Sequence, residues 1–384
     1  MKRLRVLLMA NIRWDNAVVA YAIGLAKSLE NKGHAVRFIV AKDSPALSRL
    51  TKQRFSDVHT ITLRTSNPLK LISENLKAKK LISEFNPDIV NVFHSRDHQC
   101  AVLALGLGNS RAHIVSTRGV HRPPKYHPLN SLLYNKLCAS HVACADFIAD
   151  DHLSNMGLSK DNIKTIRPGF NISEFTKDAP SKKESRALLG IDPGIPLIGL
   201  IGRFTAHKGH KTLLEAISKL ERQDVNVLFS GIEYDLKFKE LSPLIEKLGL
   251  TKRVHFYPGK LPDVRVLISA SDIITVPSDY SEAISRIAIE ALALGVPVIG
   301  SNINSLPEIL GSLGRLVPPG NANELAKALN ETISNKEFYK HSRKEGPERI
   351  KTNYSLDKKL ELTERLYLKL CESARQNPRS HISF

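Results

Sequence analysis

Short apolar runs alternate along the chain with longer segments whose apolar residues recur at helical spacing. In the first half, the runs 5–10 and 89–93 have the length and composition of buried strands. The segments 18–31 and 69–85 place their apolar residues on one face of a helix. Such alternation is typical of a parallel sheet covered by helices, so the pattern predicts an α/β fold.

The same alternation begins again after a polar, charged segment at 173–194. Because a chain of 384 residues suits two domains of ordinary size, we place a boundary there. The predicted parts are an N-terminal domain at 1–172, a linker at 173–194, a C-terminal domain at 195–350, and a final helix with a tail at 351–384. We expect the final helix to pack back towards the N-terminal domain.

Polar residues gather where the predicted strands of the first half end. Asn16 lies in the turn after the first strand, His94 and Asp97 follow the strand 89–93, and Arg118 and His121 follow the strand 113–116. Ligands of open α/β sheets bind at such carboxyl ends. A histidine there could be a base, a sugar ligand or a surface loop residue. Since no Gly-x-Gly-x-x-Gly follows the first strand, the sequence argues against an NAD-binding domain.

The stretch 278–306 is the clearest candidate site of the second half. Ser278 or Ser281 is expected to cap a helix after the strand 273–277, with Glu282 at the helix start and Glu290 two turns further. A helix start after a parallel strand favours anions, because its free N–H groups and dipole attract negative charge. A carboxylate there would repel a phosphate unless it contacts an uncharged part of the same ligand. The combination suggests a sugar phosphate.

A second candidate loop follows the strand 196–201. Arg203 and Lys208 lie in this glycine-bounded loop, next to the start of another predicted helix. A guanidinium can bind two phosphate oxygens, and an ammonium adds a point charge on the same group. The alternative is a solvated basic loop.

The charge balance of the chain points to an anionic partner. Its 56 basic and 38 acidic residues give a formal charge of +18. Nucleic acid, an acidic membrane surface, phosphorylated substrates or simple solubility could each explain this excess. Nucleic acid is not expected, because only 6% of the residues are aromatic and none are interleaved on a basic face. The basic, aromatic and apolar stretch 122–136 could contact a membrane or form a helix packed on its own domain.

Cysteine usage and hydropathy favour a cytoplasmic location. The four cysteines form no Cys-x-x-Cys pair and have no histidine at zinc spacing, which fits free thiols in a reducing compartment. The apolar run near the N-terminus is too short for a signal sequence and is expected to form the first strand. No apolar stretch approaches the roughly 20 residues that span a bilayer. We expect a cytoplasmic protein. If it contacts the inner face of the membrane, it does so as a peripheral protein.

Several short signatures, in their order and spacing, resemble the family 4 glycosyltransferases, which have the GT-B fold. The resemblance covers nearly the whole chain and is strongest at 196–330. The matching residues are Gly202-Arg203 with Lys208-Gly209, Pro277-Ser278, Glu282 and Glu290 with seven residues between them, Gly295-Val296-Pro297-Val298, and Leu306-Pro307-Glu308.

The resemblance implies two Rossmann-like parallel-sheet domains facing a central cleft, an acceptor-side domain followed by a nucleotide-sugar-binding domain. It implies a retaining transfer from a nucleotide sugar, with a UDP-sugar favoured, to a glycan or glycolipid in lipopolysaccharide or another bacterial envelope polysaccharide. Arg203 and Lys208 would hold the donor diphosphate, Glu290 the ribose, and Glu282 the sugar or the reacting centre. The remaining donor contacts would be Gly202, Leu261, Ile284 and Ser285.

The first half departs from the family pattern. Asn16 stands near a position where the family has a glycine pair, and Gly119 stands where one subgroup has a histidine. His121 is two residues further on, and we count it with Asp97 and Glu282 as a catalytic candidate. His94, Arg118 and Asn16 are the acceptor-side candidates. The chain has no Asp-x-Asp, in agreement with the family's lack of a required metal, so we expect neither metal nor cofactor.

Two other functions remain open at the level of sequence. A nucleotide-sugar epimerase or hydrolase could use the same fold, with acid and base groups at the sugar and no acceptor surface. A basic nucleic-acid-binding protein would be suggested by charge alone.

Overall fold

The computed structural model describes residues 2–14, 17–106, 111–119, 127–259 and 263–376. The chain divides into two compact units. The first unit contains Met1–Phe170 and Leu356–Phe384, and the second contains Asn171–Ser355.

The first unit is built on a parallel sheet. In the described part its strands are β1 (Arg5–Ala10), β2 (Ala35–Ala41), β3 (Val58–Ile61), β4 (Ile89–Val92), β5 (His113–Arg118), β6 (Ser140–Ala143) and β7 (Ile163–Thr165). Its helices up to residue 170 are α1 (Ala17–Asn31), α2 (Pro45–Lys52), α3 (Pro68–Phe85), α4 (Ser95–Gly106), α5 (Pro128–Asn135) and α6 (Asp146–Met156). The strand order is β3-β2-β1-β4-β5-β6-β7.

The second unit repeats this architecture. Its strands in the described part are β8 (Leu197–Ile201), β9 (Asn226–Gly231), β10 (Val254–Pro258), β11 (Ile273–Val276), β12 (Val298–Ser301) and β13 (Gly314–Val317). Its helices are α7 (Ile172–Thr176), α8 (Lys182–Leu189), α9 (His210–Ser218), α10 (Ser242–Lys247), α11 (Val264–Ala270), α12 (Arg286–Ala293), α13 (Leu306–Leu310), α14 (Ala322–Ile333) and α15 (Lys336–Tyr354). The stretch expected to be a linker therefore carries α7 and α8.

Both sheets reverse their strand order at one point. In the second sheet, of order β10-β9-β8-β11-β12-β13, this point lies between β8 and β11, and in the first sheet it lies between β1 and β4. Loops leave in opposite directions there and open a crevice at the carboxyl edge, where ligands of such folds bind. The predicted two-domain, parallel-sheet α/β fold is confirmed.

The chain's last described helix, α16 (Leu356–Gln376), completes the first unit. The His34 imidazole lies 3.0 Å from the Glu364 carboxylate. Lys359 donates to the backbone oxygen of Tyr21 at 2.8 Å. Burial lowers the pKa of this lysine to about 7. Because a buried polar group without its partner is costly, these bonds specify where α16 packs.

Helix α4 begins at Ser95, so His94 lies directly before its first turn. Helix α15 was not predicted, because Gly346 and Pro347 lie inside it. A Cβ at Gly346 would approach the Leu292 backbone oxygen to 2.6 Å, so glycine permits close packing on α12.

No helix within the described ranges is long and apolar enough to cross a bilayer.

Candidate functional site

The loops that follow β8 and β11 are pressed together at the strand reversal of the second sheet. Gly209 has a φ of +74°, and a Cβ on it would lie 2.0 Å from the Pro277 backbone oxygen. The backbone N–H of Asp279 donates to the His207 oxygen at 2.9 Å. Since a side chain at position 209 would force the loops apart, glycine there brings the basic loop of 202–210 against the acidic stretch after β11.

This contact joins Lys208 to Glu282. The Lys208 ammonium forms an ion pair with Glu282 Oε2, and Ser278 Oγ donates to the same oxygen at 2.8 Å. The Glu282 side chain is only 7% exposed and that of Lys208 20%. A shielded pair of this kind is screened weakly by salt, and each partner fixes the direction of the other. Two candidates 74 residues apart in sequence are thereby brought into contact.

The helix after β11 starts later than the sequence predicted. Its N-cap is Ser285, and the helix begins at Arg286, so neither Ser278 nor Ser281 caps it. Glu282 consequently lies in the preceding loop rather than at the helix start.

Side chains from the loop after β12 explain the later start. The Glu282 N–H donates to Asn304 Oδ1 at 2.9 Å, and the Ser285 N–H donates to Ser305 Oγ at 3.3 Å. These bonds, with the Ser278 bond to Glu282, satisfy the backbone and the carboxylate in a non-helical conformation. Polar partners distant in sequence thus override the local helical pattern.

Glu290 lies in the second turn of α12 with its side chain only 9% exposed. Arg286, one turn earlier, donates from Nε to Glu290 Oε1 at 2.6 Å. Burial raises the pKa of the Glu290 carboxyl, while the charge of Arg286 opposes the rise. Arg286 was not among the candidates predicted from the sequence. Its position four residues before Glu290 on a helix is the signal that could have identified this ion pair.

The other described donor-side candidates lie in the loops that follow β8 and β11. Ser285 is buried, with no hydrogen-bond partner for its hydroxyl among the described residues, and Ile284 is half-buried. Gly202 follows β8, and its backbone oxygen would lie 1.7 Å from a Cβ on Gly231. Arg203 is exposed, with its guanidinium 5.8 Å from the ring centre of Tyr234.

The pKa of His207 shows which charged side chains lie near the basic loop. Burial lowers the pKa of its imidazole first, and the charge of Lys208 lowers it next. Glu282 raises the same pKa and Arg203 lowers it slightly, so all three side chains lie within electrostatic reach of one ring. The structure therefore gathers three of the predicted charged side chains, Arg203, Lys208 and Glu282, near one loop.

Three candidates, Asn16, His121 and Leu261, lie outside the described residues. Part of the stretch 122–136 does too, and its remainder contains α5. The neighbouring Gly119 is described. A Cβ there would lie 3.2 Å from a methyl of Val18 and 3.4 Å from the Cys144 sulfur, which leaves little space for a larger residue.

The described acceptor-side candidates, His94 and Arg118, lie at the carboxyl ends of β4 and β5 in the first sheet. Arg118, predicted to follow β5, is the last residue of that strand, and its guanidinium donates to Ser95 Oγ at 3.0 Å and to the Tyr134 hydroxyl. His94 accepts from the Arg96 N–H through Nδ1 at 3.2 Å. Burial, followed by the charges of Arg64, Arg118 and Arg96, lowers the pKa of His94 to about 4. The ring is therefore neutral at pH 7.

Asp97 is fully buried in the first turn of α4. Both its oxygens accept from the Asn11 N–H at 3.2 Å, which ties the end of β1 to α4. Burial raises the pKa of this carboxyl to about 8, against the opposing effects of the Asn11 hydrogen bond and the Arg118 charge.

A pH dependence of stability follows from this burial. Because the folded state holds the Asp97 proton up to about pH 8 and the unfolded chain releases it near pH 4, this contribution to stability is lost as pH rises between these values. Asp97→Asn should therefore gain stability relative to the wild type by at most about 1.4 kcal/mol per pH unit in that window. Urea unfolding at pH 5 and pH 8 measures the difference. The exposed Asp43→Asn is the control, and a gain independent of pH would contradict the assignment.

Comparisons with known proteins agree with this architecture. The family model described as Glycosyltransferase Family 4 matches residues 18–174, and the one described as Glycosyl transferases group 1 matches residues 181–349. A glycosyltransferase structure from Rickettsia africae aligns with a TM-score of 0.85 at 23% identity, over 96% of this chain and 99% of that one. Anabaena Alr3699/HepE in complex with UDP aligns with a TM-score of 0.82 at 19% identity, over 95% and 99%. These likenesses show the fold, which is GT-B.

Curated relatives match over a shorter region. The D-inositol 3-phosphate glycosyltransferase of Nocardia farcinica is 30% identical over 191 residues, 47% of this chain and 42% of that protein. The protein of the same name from Rhodococcus jostii is 32% identical over 196 residues, 48% of this chain and 43% of that protein. The match thus spans less than half the length of these relatives.

The fold and the matched sequence models define the class as a GT-B glycosyltransferase. The chain belongs to the family 4 glycosyltransferases, and the two models that match it cover most of both units.

Proposed function

We propose that this protein is a retaining glycosyltransferase that moves a sugar from a nucleotide-sugar donor, with a UDP-sugar favoured, to a glycan or glycolipid of a bacterial envelope. The observation that carries the proposal is the shielded Lys208–Glu282 ion pair at the strand reversal, with Glu290 in the helix that follows. Family membership supports the reaction class. The UDP bound to the structurally similar Anabaena protein supports the choice of base.

Each donor-side residue would then have a distinct role. Lys208 and Arg203 would stabilise the diphosphate as negative charge develops on the leaving group, which removes the need for a metal cation. Glu282 would orient Lys208 and accept from hydroxyls of the transferred sugar. Glu290, whose carboxylate is buried, would accept from the ribose hydroxyls.

A thermal-shift panel of UDP-, GDP- and ADP-sugars tests the donor assignment. Since a ligand that binds only the folded state stabilises it by RT ln(1 + [L]/Kd), saturation at a hundredfold Kd adds about 2.7 kcal/mol. UDP-sugars should raise the melting temperature most, and EDTA should leave the shift unchanged. A panel without any shift would overturn the proposal.

The epimerase or hydrolase alternative makes a different prediction. Incubation of the enzyme with the stabilising donor and no acceptor should then yield an epimer or a free sugar. The proposed transferase should leave most of the donor intact under these conditions, and its product should keep the anomeric configuration of the donor.

An exposed apolar stripe supports the further proposal that the enzyme lies on an anionic membrane surface. Leu69, Ile72 and Leu76 of α3 are 75%, 58% and 57% exposed, and their spacing puts them on one helix face. The same helix carries four lysines, Lys70, Lys77, Lys79 and Lys80. Apolar side chains that enter the headgroup region, flanked by lysines that attract acidic lipid, are typical of helices that lie in the membrane interface.

The double variant Ile72→Ser/Leu76→Ser should lose most of its binding to vesicles of phosphatidylcholine with phosphatidylglycerol, because less apolar surface enters the interface. Cosedimentation measures the bound fraction. Leu188→Ser is the matched control, since Leu188 is 71% exposed in the second unit. Equal wild-type binding to neutral and anionic vesicles would contradict the membrane proposal.

A further inference from the structure

Three arginines lie close to one histidine in the first unit, and the guanidinium of one of them, Arg96, donates to the Leu63 backbone oxygen at 2.7 Å. Arg64 Nη2 lies 3.3 Å from His94 Nε2, and Arg96 follows His94 closely in the chain and donates its N–H to His94 Nδ1. Arg118 lies at the end of the neighbouring strand β5 and reaches Ser95. The charges of all three arginines act on the His94 ring. This group, which we call the arginine cluster, comprises Arg64, Arg96 and Arg118 around His94.

The hydrogen bonds of His94 leave donors facing each other. The Arg96 N–H and the Arg64 guanidinium can both only donate, and a neutral ring accepts at one nitrogen; with Nδ1 accepting from Arg96, the ring proton lies on Nε2. Nε2 and Arg64 Nη2 then approach to 3.3 Å as two donors. An oxygen atom able to accept from both would resolve this mismatch. In addition, Arg118 Nε is buried and has no hydrogen-bond partner within the described part of the chain.

No ion pair balances the charge of the cluster in the part of the chain that the structure describes. Within the described residues, none of the three arginines forms an ion pair with a carboxylate. Asp97 is nearby but is fully buried, and its pKa of about 8 leaves it largely protonated at pH 7. Glu74 accepts from the Thr62 N–H at 3.0 Å. Three cations held together repel one another, and binding an anion would relieve that repulsion.

We propose that the arginine cluster binds a phosphate monoester carried by the acceptor. This assignment rests on the proposed transferase function and narrows its acceptor to a phosphorylated one. A phosphate monoester carries close to two negative charges at pH 7 and presents three acceptor oxygens, which suits several guanidinium donors better than a single carboxylate. The start of the twelve-residue helix α4 at Ser95 adds a favourable dipole.

The chain contains its own reporter for this site. Its single tryptophan, Trp14, lies under the Arg64 guanidinium, with 4.7 Å between Cζ and the ring centre. Titration with inorganic phosphate at constant ionic strength should change Trp14 fluorescence saturably, and acetate should not.

Arg96→Gln is the main test variant, because Arg96 is exposed and its loss should spare the fold. We expect its apparent phosphate affinity to fall at least tenfold, whereas the exposed Arg3→Gln should bind as the wild type does. Arg118→Gln should weaken binding further, with its melting curve checked because Arg118 is buried. Absence of a saturable signal in the wild type, or equal affinity in Arg96→Gln, would overturn the proposal.

Two further arms identify the source of the phosphate. Glucose 6-phosphate represents a soluble phosphorylated acceptor, and vesicles with phosphatidic acid represent a lipid one. A response in either arm that Arg96→Gln abolishes supports the site, and no response in both opposes it. UDP titration by calorimetry on the same sample separates the two levels of inference. UDP binding without a phosphate response overturns the arginine cluster alone, whereas no binding of UDP, GDP or ADP overturns the proposed function.

Discussion

Lys208→Ala is expected to abolish measurable binding of the nucleotide-sugar donor. The ammonium lies at the strand reversal of the second sheet, where Glu282 directs it, and the variant removes a charge that would contact the diphosphate. Charge-assisted hydrogen bonds to phosphate contribute about 1.5–3 kcal/mol each, and an ammonium can make more than one. Calorimetric titration with UDP should therefore show affinity lowered at least a hundredfold.

A control must separate lost binding from lost stability. Lys208→Ala alone leaves the shielded Glu282 carboxylate without its cation, and breaking a buried pair this way typically costs about 3–5 kcal/mol. Since Lys208 is 20% exposed, the cost here should be smaller. In the double variant Lys208→Ala/Glu282→Gln the unpaired charge is gone, so stability should recover while UDP binding stays absent. The exposed neighbour Lys211→Ala should retain both. UDP affinity unchanged in Lys208→Ala would rule out the proposed placement of the diphosphate.

The architecture of both units could be predicted from the sequence because it depends on local patterns. Buried parallel strands appear as short continuous apolar runs, as in β1 and β11, and the runs differ clearly from helical segments. Polar residues after such runs are brought to one edge of the sheet by topology alone. His94 and Lys208 could therefore be placed at strand ends without coordinates.

Contacts between distant residues could not be predicted in this way. The start of α12 depends on Asn304 and Ser305, which hold the preceding loop from another part of the chain. Gly346 and Pro347 lie inside α15, where close packing on Leu292 favours glycine despite its poor helix propensity. Tertiary contacts override the local signal in both cases.

The arginine cluster shows the same limit in the first unit. Arg64, Arg96 and Arg118 come from three separate segments, and nothing in their spacing indicates that they meet at His94. Arg64 follows β3, Arg96 follows β4 and Arg118 ends β5, and the parallel sheet places these three carboxyl ends at one edge. A positive net charge could therefore be read from composition, but its concentration at one site required the fold.

Glu290→Ala is the second substitution expected to abolish donor binding. The proposed ribose contact has a buried carboxylate as acceptor, so its loss removes hydrogen bonds to a charged group that is shielded from water. Glu290→Gln keeps the shape and one acceptor oxygen, and we expect UDP affinity roughly tenfold to a hundredfold below the wild type. Arg286→Ala, which removes the exposed partner of the pair, should cost much less. Calorimetry with UDP measures all three, and melting curves confirm folding.

A deoxynucleotide tests whether Glu290 acts through the ribose. If its carboxylate accepts from the ribose hydroxyls, then 2′,3′-dideoxy-UDP should bind the wild type much more weakly than UDP does. In Glu290→Gln, whose residual binding is measurable, the same removal of hydroxyls should cost clearly less, because the interaction is already weakened. This comparison is a double-mutant cycle, and its coupling energy isolates the pair from any general loosening of α12. Equal penalties in both proteins would show that Glu290 supports the helix instead of contacting the ribose.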